Sequence, residues 1–568
     1  MKNFIKIIIF VSVVFLLAVA VWYSPVLFKG YNPQGAESTM LILGRNLAQT
    51  GIYGAENDLN VLLSSNLVKA ESHTSASYNR LTAVLYGEIF KRTGELNEID
   101  LLRLSIALHG LSLIILTLLV LYLFGFKIAA IFSLIYIFLP FNWLVSHGPG
   151  GYEFCLLFFA LFFLFYLGGK EQKHSYIYLG LSGIFLALTC LSREDILVFV
   201  PFLFIYLWVI KQKRHLLYIF IPFLILFGCL WLPSALMKGG GGNVALLHLT
   251  TRVPEELISS DFSRYDHFFP DPYTYHFNRE EFLKEYQNQL ENPETGFLTE
   301  TVLIKTGSNN GIRAPSFFER MEVGLALFFN HLARFLSLEE IGGPFIFLLM
   351  VLGLYHLRRK NRYLYRFSLG WVFSVIFLLS FVVLVGRPHL TDFGWVLVLW
   401  AALGLALLAE IISAYFHLNQ MKSKIVLAVI VLMTLYGLVL ANHVAWNTAF
   451  DHSQSLKIAA YSQKIEALDI KDQDVIAVPR DIQYRRLNYL TNKSLVIFQE
   501  KTIEDLFDNG ELNSAFEKFK VKYILGYSDE LSQKIVSQTE VLNIAANSIE
   551  PVQIRTSPAK IRLLNIFR

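Results

Sequence analysis

Stretches of roughly twenty apolar residues recur along most of this 568-residue chain and restrict its fold more than any other feature. Runs such as Ile5 to Tyr23, Leu104 to Phe124 and Phe367 to Val385 are each about the length that crosses a ~30 Å hydrocarbon layer as a helix. In lipid the backbone must satisfy its own hydrogen bonds, which leaves helices or a closed barrel. Barrel strands alternate in polarity, whereas these runs are continuously apolar, so the helical form follows. With 54% hydrophobic and 17% charged residues, the composition departs from that of a soluble enzyme.

The runs predict about eleven transmembrane helices, at roughly 5–25, 103–124, 127–146, 152–168, 175–192, 195–210, 216–236, 343–357, 366–386, 392–415 and 424–442. Basic residues gather in alternate connections: Lys170 and Lys173; Lys211, Lys213 and Arg214; Arg358, Arg359, Lys360, Arg362 and Arg366; Lys422 and Lys424. The positive-inside rule assigns that side to the cytoplasm. Loops 26–102 and 237–340, and the tail from about 445, then face outward from a cell (plasma or inner) membrane. The net charge of +4 is small for this length and carries no signature of nucleic-acid binding. Two domains are expected: residues 1–445, with the spans and both outer loops, and residues 446–568 outside the cytoplasm.

Cys155, Cys190 and Cys229 all lie within apolar runs, where none is placed to staple an exported domain. Lys2, Lys6 and Ala18-Val19-Ala20 also match a signal peptide, but the apolar stretch continues through Trp22 and Tyr23 and is long enough to span. Ala36 to Gln49 has helical spacing, with Glu37 in its first turn, and a second helical stretch covers Tyr78 to Lys91. Phe317 to Leu336 mixes apolar residues with charges and reads as an interfacial helix. The aromatic cluster from Tyr265 to Phe277 either lines a substrate cleft or lies at headgroup depth. In the tail, the apolar blocks Val475–Val478, Leu495–Phe498, Tyr523–Leu525 and Ile561–Ile566 alternate with charged helical stretches, the pattern of a small α/β domain.

Ionisable residues near lipid are expensive without a partner or a task, so those at the ends of spans carry the functional information. In this topology Glu37, Arg80, Glu153, Arg193, Glu194, Asp195, Arg387, His389 and Asp392 all fall at the outer ends. Arginines clamp a phosphate through paired hydrogen bonds, and a carboxylate accepts a proton from an attacking hydroxyl. The set therefore suits chemistry on a lipid-anchored phosphate.

The segment Gly35-Ala36-Glu37-Ser38-Thr39-Met40-Leu41-Ile42-Leu43-Gly44-Arg45-Asn46-Leu47-Ala48, followed by Gly51-Ile52-Tyr53-Gly54, resembles the first-loop motif of the GT-C glycosyltransferases. That superfamily includes protein O-mannosyltransferases and the lipid A aminoarabinose transferase, which take sugars from polyprenyl phosphate. Tyr78-Asn79-Arg80-Leu81, then Leu102-Arg103-Leu104-Ser105, is similar to the family's next segments. Glu153 occupies the place of its second outer acidic residue, and Leu191 to Asp195 resembles its turn between spans. The chain departs from the family in having Ala36 where an aspartate is common and in lacking a proline after Arg80.

The resemblance implies an inverting hexosyl- or pentosyltransferase that moves a sugar from a polyprenyl-phosphate donor to a lipid, polysaccharide or protein acceptor at the outer face of the membrane. Glu37 would be the general base and Glu153 would orient acceptor or sugar. Arg80 and Arg387, with Tyr78, His389 and Arg193, would bind the donor phosphate. No cofactor and no metal are implied. The residues also admit plainer roles: a helix-start charge at Glu37, span anchors at Arg387 and Asp392, and a surface ion network at Arg193, Glu194 and Asp195. His267, Asp271 and His276 have loosely metal-like spacing, against which stands a solvated aromatic loop. Glu56-Asn57-Asp58 resembles the acidic metal motif of oligosaccharyltransferases, without their Trp-Trp-Asp-Tyr-Gly segment. Competing functions are a flippase for lipid-linked saccharides and a non-catalytic subunit of a glycosylation complex. Transporters concentrate charge at mid-membrane and show internal repeats, neither of which is visible here.

Overall fold

A computed structural model describes residues 2–29, 38–50, 80–149 except 95, 152–169, 175–193, 196–197, 199–236, 253–254, 312–313, 317–383, 394–449 and, with short gaps, 452–544. The apolar runs all fall on helices: α1 (Lys2–Lys29), α4 (Glu98–Phe124), α5 (Phe126–Phe138), α6 (Pro140–Ser146), α7 (Glu153–Gly169), α8 (Ser175–Ser192), α9 (Phe199–Val209) and α10 (Lys213–Leu236) in the first half. Between α1 and α4 lie α2 (Ser38–Thr50) and α3 (Arg80–Thr93). A two-residue antiparallel pair, β1 (Val253–Pro254) with β2 (Ile312–Arg313), precedes the second half. There follow α11 (Phe317–Arg334), α12 (Leu338–Ile341), α13 (Pro344–Lys360), α14 (Arg362–Phe377), α15 (Gly394–Tyr415) and α16 (Gln420–Ala449).

Six of these helices are by themselves long and apolar enough to cross a membrane, and α5, α7 and α9 are shorter apolar helices. Their outward faces are apolar too: Leu224 and Ile225 on α10, and Leu432, Met433 and Tyr436 on α16, are exposed. An apolar exterior around an apolar interior is what lipid solvent selects, and the chain is a polytopic helical membrane protein. Lipid supplies no hydrophobic drive between helices, so close approach does the work. A Cβ on Gly353 of α13 would lie 1.7 Å from the Trp400 carbonyl oxygen of α15, and one on Gly404 would lie 1.8 Å from the Leu349 carbonyl oxygen. Deeper inside, Trp371 of α14 meets Phe199 of α9 and Phe163 of α7 at ring-centroid distances of 4.8 and 5.0 Å. Phe163 in turn meets Trp395 of α15 at 4.8 Å.

Two expectations are revised. The span 127–146 is not one helix: Leu139 is extended (φ −68°, ψ 125°), as a residue before proline prefers, and Pro140 restarts the chain as α6. The carbonyls freed by the break are each capped by a side chain. Asn142 Nδ2 donates to Tyr136 O (3.0 Å), Trp22 Nε1 of α1 to Ile137 O (2.9 Å) and Asn442 Nδ2 of α16 to Phe138 O (2.8 Å). A broken helix survives in lipid only with such replacements, and here they fasten the first and last long helices of the bundle to the break. The basic stretch 358–366 is also not a loop, because only Asn361 separates α13 from α14, and its side chain caps Leu364 N at 2.9 Å. The α14 helix continues as a π-helical turn, Leu378–Val383, on which amphipathic α11 packs.

The tail contains α17 (His452–Ala467), β3 (Val475–Val478), α18 (Tyr484–Thr491), β4 (Ser494–Ile497), α19 (Glu500–Asp508), α20 (Leu512–Lys518), β5 (Val521–Ile524), α21 (Asp529–Gln538) and β6 (Leu542–Asn543). The strands form one parallel sheet in the order β4-β3-β5-β6. All four residues of β3 are buried, the mark of a parallel strand covered by helices on both faces. Apolar clusters lie on the two sides of the sheet, one around Ala477, Val496 and Ile524 and the other around Ile476, Leu487 and Leu495.

Candidate functional site

The bundle end opposite the basic turns is roofed by α2 and α3. Met40, Leu41, Ile42 and Leu43 at the start of α2 are buried, and Gly44 lets α2 settle directly on α3. A Cβ at Gly44 would stand 2.8 Å from Tyr86 Cβ and 3.0 Å from the Ala83 carbonyl oxygen, so only glycine permits this contact. On α3 the buried face is Ala83, Tyr86 and Phe90, at helical spacing. Thr82 Oγ1 donates to the Ser192 carbonyl at 3.0 Å, joining α3 to the last residue of α8.

Glu153 begins α7 and is only 2% exposed. The Tyr86 hydroxyl donates to its Oε1, and the edge of Tyr86 meets Phe154 at a ring-centroid distance of 5.5 Å. A carboxylate in the first helical turn also faces the positive end of the helix dipole, so phenol and helix together hold it in place. The neighbouring residue, Tyr152, lies under the Arg193 guanidinium, 3.8 Å from its ring centroid. The turn that carries the acid thus also carries the tyrosine on which Arg193, just past the end of α8, is stacked.

Polar contacts also join α4 to the end of α6. Ser105 Oγ donates to the Ser146 carbonyl at 3.0 Å, and His147 Nδ1 donates to the Trp143 carbonyl at 2.7 Å. His147 lies just past the end of α6 and is fully buried.

Of the sequence-predicted site residues, the structure describes Glu153 and Arg193, and stacks Arg193 on Tyr152, the residue before Glu153. Arg80 is the first residue of α3, two positions before Thr82, with its side chain outside the described residues. Glu37, Tyr78, Arg387 and His389 lie outside the described residues, as do Glu194, Asp195, Asp392, Glu56-Asn57-Asp58 and the aromatic cluster 265–277. Glu37 immediately precedes the first residue of α2. Sequence reasoning missed Tyr86, because a tyrosine on an apolar helical stripe reads as core. Leu85-Tyr86-Gly87 belongs to the same family-like segment as Tyr78 to Leu81, but no role is read from it. Among the described residues, no group of three or more His, Cys, Asp or Glu side chains is arranged to hold a metal.

No protein-family model and no curated protein matches this sequence. Solved structures do. The chain is similar to the oligosaccharyltransferase of Archaeoglobus fulgidus tethered to an acceptor peptide, with a TM-score of 0.55 and 11% identity, over 91% of this chain and 68% of that one. It is also similar to the same organism's AglB in complex with an inhibitory peptide and dolichol phosphate, with a TM-score of 0.53 and 12% identity, over 91% and 69%. ArnT of Cupriavidus metallidurans bound to undecaprenyl phosphate matches over 94% of this chain and 90% of its own length, at 12% identity and a TM-score of 0.46.

Proposed function

We propose that this chain, which has the fold of the GT-C membrane glycosyltransferases, is itself an inverting glycosyltransferase. Its donor is a sugar on polyprenyl phosphate, and its acceptor is a hydroxyl of a lipid, polysaccharide or protein at the non-cytoplasmic face of the cell membrane. In the reaction, the acceptor oxygen attacks the anomeric carbon, its proton passes to Glu37, and the bond from that carbon to the phosphate oxygen breaks. The electron pair leaves on the polyprenyl phosphate. A phosphate leaving group needs charge stabilisation more than a proton, and Arg80, Arg387 and Arg193, with Tyr78 and His389, supply it. Glu153 orients acceptor or sugar.

The observation that carries this reading is the buried carboxylate of Glu153, held by Tyr86 beside the Tyr152–Arg193 stack at the roofed end of a GT-C-fold bundle. A buried acid is expensive to maintain, and one beside a cation at a membrane surface matches a lipid-linked phosphate sugar. The test is sugar transfer from polyprenyl-phosphate-linked donors in proteoliposomes. Replacement Glu37→Gln is expected to lower transfer by roughly 10²- to 10⁴-fold while the protein still inserts and folds. Undiminished transfer removes Glu37 as the base.

A further inference from the structure

Arg45 of α2 is only 1% exposed, and its partners lie more than four hundred residues away in the tail. Its Nη1 donates to the Tyr489 carbonyl at 3.0 Å and its Nη2 to Asn488 Oδ1 at 3.4 Å. Its guanidinium also stands 5.7 Å from the Tyr489 ring centroid. The Asn488 amide is keyed for this role, because its Nδ2 donates to the Lys493 carbonyl at 2.9 Å and turns the oxygen toward Arg45. Both partners sit in the last turn of α18, where unpaired carbonyls and the negative end of the helix dipole favour a cation.

Two more contacts fasten the same eight-residue helix to the membrane part. The Tyr489 hydroxyl donates to the Leu96 carbonyl at 2.9 Å. Arg486 grips Glu98, at the start of α4, through Nε at 2.6 Å and Nη2 at 2.9 Å. So short a helix is marginal alone, and its order depends on what it docks against. The other side of α2 bears on the candidate site, since Gly44, next to Arg45, lies against Tyr86, and Tyr86 holds Glu153.

We infer that Arg45 is a positioning residue: it locks α2 between the tail helix α18 and α3, so that docking of the tail sets the placement of Tyr86 and, through it, of Glu153. The catalytic significance of this lock rests on the reading of Glu153 as a site residue; the mechanical coupling does not. With Arg45 removed, α2 loses its charged link to the tail while its apolar contacts with α3 remain, and the Tyr86 to Glu153 hydrogen bond loosens.

The test is hydrogen–deuterium exchange on the full-length protein in nanodiscs, which requires no sugar transfer. Arg45→Met is expected to speed exchange by roughly tenfold in α3 and in the first turn of α7, as well as in α2 and α18. Arg45→Lys, which keeps the charge and loses the fork, should give a smaller effect in the same segments. Faster exchange confined to 38–50 and 484–493, with α3 at wild-type rates, overturns the inference. If Arg45→Met does not fold, Glu98→Gln answers the same question by releasing the other end of α18, and again α3 must respond while α5 and α15 do not. Where transfer is measurable, Arg45→Met should lower kcat with acceptor KM unchanged; a change in KM alone would mean that the tail only binds acceptor. Transfer lost at Glu37→Gln with unaltered exchange at Arg45→Met rejects the lock and leaves the proposed reaction standing.

Discussion

Helices α13 and α15 in the bundle touch backbone to backbone at Gly353 and Gly404, whereas the tail sheet closes around Ile476, Leu495 and Ile524. The first region is surrounded by apolar solvent, so removing apolar surface from its surroundings gains little and intimate shape is decisive. The second behaves as a water-soluble core, where the area of buried aliphatic side chains carries the stability. A methyl group added to the bundle should therefore be worse than one removed, and in the tail the reverse holds.

The largest expected effect is at Gly353→Val. The new side chain meets the Trp400 carbonyl, which neither helix can move aside, and a cost above about 3 kcal/mol should abolish folded protein in detergent. Recovery of folded Gly353→Val at wild-type yield would break the comparison. Next is Ile524→Ala in β5, a cavity in the tail costing about 3 kcal/mol and read as earlier melting of the tail with the bundle transition unmoved. Trp22→Phe keeps an aromatic ring, though a smaller one, and strips the Ile137 carbonyl of its donor at the α5–α6 break; a loss of about 2 kcal/mol in bundle stability is expected. The smallest effect is at Glu98→Gln, where the ion pair with Arg486 joins the two regions. A loss of about 1 kcal/mol is expected, and a double-mutant cycle with Arg486→Gln should return a coupling of similar size.

The same contrast explains what the sequence discloses. Apolar runs are legible because lipid demands continuous apolarity over a fixed length, and each run has a helix among its described residues. The break at Leu139 was hidden because Leu139, Pro140 and Phe141 keep the run apolar, and two of the three polar caps come from Trp22 and Asn442, far away in the chain. Gly353 and Gly404 looked unremarkable because a close approach is defined only by the partner helix. In the tail, Val475–Val478 and the block around Tyr523 mark β3 and β5 to within two residues, since a covered parallel strand is apolar at successive positions. Of the site, Glu153 and Arg193 were legible as ionisable residues at helix ends. Tyr86 and Arg45 were not, because one looks like core and the other finds its partners 443 and 444 positions away.

The proposed transfer requires α2, α3 and the tail to lie together on the side of the membrane away from the cytosol. A compartment-sensitive reporter fused after Ala449, where α16 ends, tests it most directly. The proposed reaction requires that reporter to lie outside the cytosol, on the same side as the Arg486–Glu98 contact and the Glu153 turn. A cytosolic signal from an intact, folded fusion would contradict it.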